Sequence, residues 1–202
     1  MYHSFKHVAR HKAARLNTAL KLMLVVSGLF VFAFGMFTPL YAIFVKDIGG
    51  DITTASSAWA VFSLVAGLTT FITGSWENKI KETEIGIVWS QFIIGLAYTF
   101  YYFTDFFSNG ILMLYLAQAI LGLGMAFFWP AFHAVYAKHV EPTKSAWQWS
   151  LYDGLAYLTP AIAAVLGGWL VKHYGFDVVF LIMAVLSYIC GLFIWILPRK
   201  LL

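Results

Sequence analysis

Asp153 and His133 are the two residues of this chain whose surroundings most demand a chemical explanation. The run from Ser145 to Val171 holds no ionisable Asp, Glu, Lys, Arg or His other than Asp153, and the run from Phe106 to Ala137 holds none other than His133. A carboxyl group away from water is drawn toward its protonated form or toward a positive partner. An imidazole titrates close to neutral pH. Together they suit proton binding and relay, or the attraction of a cation. Trp149, Ser150, Ala156, Tyr157 and Pro160 share the helical face of Asp153 at spacings of three, four and seven. Trp149 and Tyr157 add cation–π capacity to that face. Upstream, Gln118, Gly122, Met125, Trp129, His133 and Tyr136 follow at steps of three or four, again one face, with Pro130 expected to bend the helix. Two readings stand for each stripe. The first forms the wall of a polar cavity or a packing seam with a snorkelling histidine. Asp153 binds a proton or a cationic solute, or fastens two copies together through Gln148, Gln118 or a backbone group.

Other chemistry is poorly supported. His3, His7 and His11 fall at i, i+4, i+8 but have no cysteine or carboxylate companion for a metal site. No Ser–His–Asp order, paired metal ligands or phosphate-cradling loop is visible. The expectation is therefore a protein that is not an enzyme and has no metal and no cofactor.

The elements that position these residues follow from composition. Of 202 residues, 61% are hydrophobic and 11% charged, where a soluble domain carries about 25% charge. The apolar excess falls into six blocks: 22–45, 52–76, 85–104, 106–137, 145–171 and 178–198. Each reaches the roughly 20 helical residues that cross a bilayer. Backbone groups in lipid must be satisfied within the segment, which requires helices. Strands of a membrane barrel would be shorter and would alternate polar with apolar. The fold class is accordingly all-α, with six transmembrane helices. Its parts are a basic segment 1–21, a six-helix domain 22–198 and a tail 199–202. Cys190 lies inside the last span and implies no disulfide framework. Connections of a few residues leave function to the membrane or its edges.

Lysine and arginine set the orientation. With an even number of spans both termini share a side, and that side carries eleven of the thirteen basic residues; Lys46 and Lys172 are the exceptions. This places both termini in the cytoplasm, as expected of a multi-pass protein of a bacterial inner membrane. Anionic headgroups, not nucleic acid, are the expected partner of the basic N-terminal segment. Asp153 lies nine residues past Lys144, roughly 13 Å into the membrane at 1.5 Å per residue. A charge there costs about 3 kcal/mol on insertion scales, so Asp153 should face protein or water.

Three local patterns resemble the major facilitator superfamily of transporters. Between spans two and three, GSWENKIKE (74–82) resembles its G-x-x-x-D-[RK]-x-G signature: Gly74 matches the first glycine, Asn78 stands for the acid and Lys79 for the base, while Lys81 replaces the closing glycine. In span four, Gly122, Gly124 and Pro130 match R-x-x-x-G-x-G and its proline, with Gln118 in place of arginine. In span five, GGWLVKHYGFDVVF (167–180) resembles the turn into the sixth helix. The resemblance implies one half of a twelve-helix fold, built from two inverted three-helix repeats. It also implies a gating role for the Gly74, Asn78 and Lys79 loop.

The expected function is secondary active transport of a small amphipathic or hydrophobic solute. The transport is expected to be proton-coupled and to proceed by alternating access in a parallel two-fold homodimer of six-helix halves. The binding and coupling candidates are Asp153, His133, Gln118, Trp129, Trp149 and Tyr157. A membrane scaffold, sensor or assembly factor that keeps the fold is the alternative.

Overall fold

The computed structural model describes residues 16–77, 79, 82–107 and 109–198. Residues 1–15, Asn78, Lys81 and the tail 199–202 lie outside the described residues, and with them His3, His7 and His11. The described residues form seven α-helices and short 3-10 turns, with no strand among them. The α-helices are α1 (Thr18–Phe37), α2 (Tyr41–Asp47), α3 (Ile52–Glu77), α4 (Glu84–Tyr102), α5 (Gly110–His139), α6 (Ser145–Tyr174) and α7 (Phe176–Ile196). Because α1 and α2 together make one crossing, six segments have the length and hydropathy of a membrane span.

Local chemistry sets several boundaries. Asn17 caps α1 by accepting the Leu20 N–H at 2.8 Å, and Asn109 caps α5 by accepting from Leu112. Asp51 does the same for α3, accepting from both the N–H and the hydroxyl of Thr54 at 2.7 and 2.8 Å. The first crossing, one continuous apolar run in the sequence, breaks into a 3-10 turn at Thr38–Leu40. Pro39 lacks the N–H that would continue the ladder. Pro130 and Pro160, by contrast, lie inside helices assigned without interruption.

The packing is that of two three-crossing repeats. The two repeats exchange partners: α3 of the first lies on α5 of the second, and α6 of the second lies on α1 of the first. The third members, α4 and α7, pack directly on each other. Glycines permit the close approaches. A Cβ on Gly122 would meet the Phe62 carbonyl of α3 at 2.6 Å, and one on Gly124 would meet Ile94 of α4 at 2.5 Å. The two glycines matched in span four therefore serve two different neighbours. On the α1–α6 seam, Gly35 receives Pro160, and a Cβ on Gly167 would lie 2.1 Å from the Met36 carbonyl. Small residues of this kind let helices approach where lipid offers no hydrophobic drive. Along α4 and α7, Gly95 receives the Tyr188 ring, and the Tyr188 and Thr99 hydroxyls meet at 3.1 Å. At the end away from the termini, Phe37, Phe44, Tyr101, Phe176 and Phe180 join α1, α2, α4 and α7 in one ring cluster.

Candidate functional site

The chemistry-bearing residues of α5 and α6 meet in the half of the bundle nearest the termini. His133 stacks on Trp129 with ring centroids 5.4 Å apart and meets both Trp149 and Tyr152 at 6.2 Å. Tyr136 reaches Trp149 at 4.7 Å and Tyr152 at 5.6 Å. Phe132 closes the cluster beneath Tyr152, and Phe30 of α1 joins it through Phe128 and Trp129. Ring pairs at these distances contribute about 0.5–1.5 kcal/mol each beyond burial. The Tyr136 hydroxyl donates to the Gln148 carbonyl at 2.5 Å, tying α5 to the first turn of α6. Gln148 in turn accepts the Glu141 N–H at 2.7 Å, which holds the short connection between the two helices.

Asp153 stands at the edge of this cluster. Its side chain is exposed, and among the described residues no hydrogen bond or ion pair engages it. It follows Tyr152 directly in α6, one turn after Trp149. Tyr152 thus neighbours both Asp153 and His133, the two ionisable groups of these spans. Tyr152 is itself buried and was absent from the sequence reading. Its position one turn after the buried Gln148 was the available signal.

The structure brings together Trp129, His133, Trp149 and Asp153. The other two candidates stand apart. Gln118 is four turns from His133 along α5, roughly 22 Å at helical rise. Only 1% of it is exposed, and its amide meets the Tyr41 hydroxyl, which donates to the Ala55 carbonyl. That contact joins α5 to α2 and α3. Tyr157 projects outward from α6 and is 81% exposed. The α5 stripe accordingly divides: Gln118, Gly122, Met125 and Tyr136 are buried, whereas His133 is exposed and Trp129 half-buried. Gln148 and Gln118 are both enclosed within the chain, so neither is placed to reach across to a second copy.

In the loop region, Lys79 is exposed and its N–H bonds the Trp76 carbonyl. A Cβ on Gly74 would meet nothing within 4 Å, so this glycine is not required by packing inside the chain. Among the described residues no group of three metal-ligating side chains comes together.

The bundle has one open aspect. In their most apolar stretches, α3 and α6 have only 6% and 11% of residues buried, against 44–61% for the other four crossings. The exposed positions include Leu64, Leu68, Phe71 and Ile72 on α3 and Leu158, Ile162 and Val165 on α6.

Comparison with known proteins decides the family. The profile of the Major Facilitator Superfamily matches residues 23–201. The chain belongs to the major facilitator superfamily, a family of transporters and not of enzymes. It is 24% identical over 170 residues to the multidrug resistance protein MdtG of Klebsiella pneumoniae (strain 342), covering 83% of this chain and 40% of that protein. Its fold is similar to that of the POT family transporter PepTSo, with a TM-score of 0.72 at 16% identity over 93% of this chain and 38% of the other. The chain thus spans about two-fifths of the length of each of these relatives. The six-helix, all-α membrane fold read from the sequence is the fold observed.

Proposed function

We propose that the chain is one half of a secondary transporter that carries a small amphipathic or hydrophobic solute in exchange or symport with protons. Two copies pack in parallel about a two-fold axis, and α1, α3, α5 and α6 face the route between them. The supporting observation is Asp153: the one charge of its span, exposed, without a partner among the described residues, beside a wall of Trp149, Tyr152, Trp129 and His133. Leaving a carboxylate toward hydrocarbon costs about 3 kcal/mol, so it faces a wet route. Protonation discharges the acid and lets the face repack, which is how a proton couples to alternating access. His133 relays the proton through Tyr152, their shared neighbour. The aromatic lining supplies apolar contact and cation–π capacity and no array of arginines, which suits an apolar or weakly cationic solute better than a phosphorylated one. The name of the relative MdtG, a multidrug resistance protein, agrees with that solute class.

The open aspects of α3 and α6 supply the packing surface for the second copy, and their exposed leucines and phenylalanine would be covered there. Both termini lie in the cytoplasm, and the Gly74, Asn78 and Lys79 loop gates that side. The free surface at Gly74 leaves room for a helix end of the partner copy. Gln118 and Tyr157 act at the margins of the route, Gln118 by holding α2 and α3 in register with α5.

Reconstituted vesicles test the proposal. Asp153→Asn abolishes solute-dependent proton movement, while cross-links between single cysteines on α3 and α6 still trap a dimer. Unchanged proton flux in that variant removes the coupling role. An active protein that never cross-links removes the homodimer. A packed centre inaccessible to a water-soluble thiol reagent at position 153 favours the scaffold reading.

A further inference from the structure

On the side of α1 away from α5, a groove of about 350 Å3 runs between α1 and α6, lined by Leu24, Val25, Gly28, Leu29, Phe32 and Leu155, with Thr159 at its end. It is separate from the aromatic cluster, which α1 meets through Phe30. Gly28 creates the space, because a Cβ there would meet nothing within 4 Å. The glycine is therefore not demanded by helix contact. Val25 is 52% exposed at the groove's edge.

Charge and length identify the occupant. Lys21, Val25, Gly28 and Phe32 recur at spacings of four, three and four, so Lys21 lies on the groove's own face of α1 at the end nearest the termini. Lys21 is exposed and has no ion pair among the described residues; the ion pair close by, Lys144 with Glu141 at 2.6 Å, uses another lysine. From Lys21 to Phe32 is roughly 16 Å along the helix, close to the half-thickness of a hydrocarbon core about 30 Å across. The groove therefore fills one leaflet, with its single cation at headgroup depth.

We propose that the α1–α6 groove binds one anionic phospholipid of the leaflet next to the termini, with an acyl chain along Gly28 and the phosphate on Lys21. A lipid seated there packs against the Gly35–Pro160 and Gly167–Met36 seam from outside and supports the pair of helices that carries Asp153. The proposal rests on the membrane span alone and stands whether or not the chain transports protons.

Native mass spectrometry of the full chain in detergent, titrated with phosphatidylglycerol or phosphatidylcholine of matched chains, tests it. The wild type retains one phosphatidylglycerol in preference to phosphatidylcholine. Lys21→Gln weakens phosphatidylglycerol by about fivefold, the share of one lysine at an anionic surface, and brings the two lipids level. Gly28→Leu fills the groove and lowers retention of both. Leu155→Trp, which fills it from the α6 wall, does the same and serves if Gly28→Leu does not fold. Undiminished retention in a folded groove-filling variant overturns the site. An unaltered preference for phosphatidylglycerol in Lys21→Gln overturns the headgroup assignment. If filling the groove instead abolishes dimer cross-links without changing lipid retention, a second protein copy is the occupant and the lipid proposal is wrong.

Discussion

Helices α3 and α6 hold equivalent places in the two repeats and are almost equally open, yet they present different surfaces. By composition α3 is the more polar, with serines and threonines along its length. Those hydroxyls are largely spent on the protein itself. Ser56, Ser57, Thr70 and Ser75 donate to carbonyls three or four residues back in their own helix. Thr73 donates across to the Ala126 carbonyl of α5 at 2.7 Å. A hydroxyl can satisfy itself this way because helical carbonyls keep a spare lone pair. The carboxylate of Asp153 cannot: ionised, it only accepts, and the N–H groups of a helix interior are already used. Nine hydroxyls therefore leave α3 close to apolar on its outside, while one acid makes α6 chemically distinct.

That contrast can be broken or sharpened by substitution. The largest effect is expected at the seams both helices share with their partners. Gly167→Leu drives a side chain into the Met36 carbonyl and Gly122→Leu into the Phe62 carbonyl. Overpacking against backbone costs about 3 kcal/mol, and thermal unfolding in detergent should show large losses for both, with little change for Gly74→Ala. Next is Asp153→Asn. Coupled proton flux should vanish, while thermal stability changes by less than about 0.5 kcal/mol, as for other exposed positions outside a network. A large loss of stability would reassign Asp153 to holding the fold.

Thr73→Val removes an α3 hydroxyl bond that crosses to a backbone carbonyl of α5 and should cost about 1 kcal/mol in the same unfolding measurement. Ser56→Ala, which removes only an internal bond, should be close to neutral. The smallest effect is a pH dependence at the entrance to α3. The Thr54 N–H and hydroxyl hold the Asp51 carboxyl below the usual aspartate range. A carboxylate with a depressed folded value contributes stability above its unfolded value and loses it as pH falls through the folded one. A melting series should therefore show a slight decline only at acid pH, below about 3.9, and Asp51→Ala should erase that decline.

Much of this was legible in the residues. Uninterrupted apolar runs of span length admit only helices, so the number of crossings could be counted. The break at Thr38–Leu40 was harder to read, because Pro39, Pro130 and Pro160 look alike locally and only Pro39 ends its helix. The two glutamines were equally opaque. Gln118 lies on the same α5 face as Trp129 and Gln148 sits next to Trp149 in the chain, but neighbouring helices enclose both glutamines. Tyr152 escaped notice because its ring matters through α5, thirteen or more residues away in the chain.

By itself the sequence determined that this is a six-crossing helical protein with one acid and one imidazole stranded in its spans. It could do so because transfer into hydrocarbon is a residue-by-residue property that needs no partner. Tertiary structure decided which of the striped residues face each other, that Tyr152 meets the His133 ring, and that Gly28 opens a groove between α1 and α6. Those are relations between helices. The distances that govern them are set by where glycine lets two backbones approach, and no spacing along one strand of sequence records that.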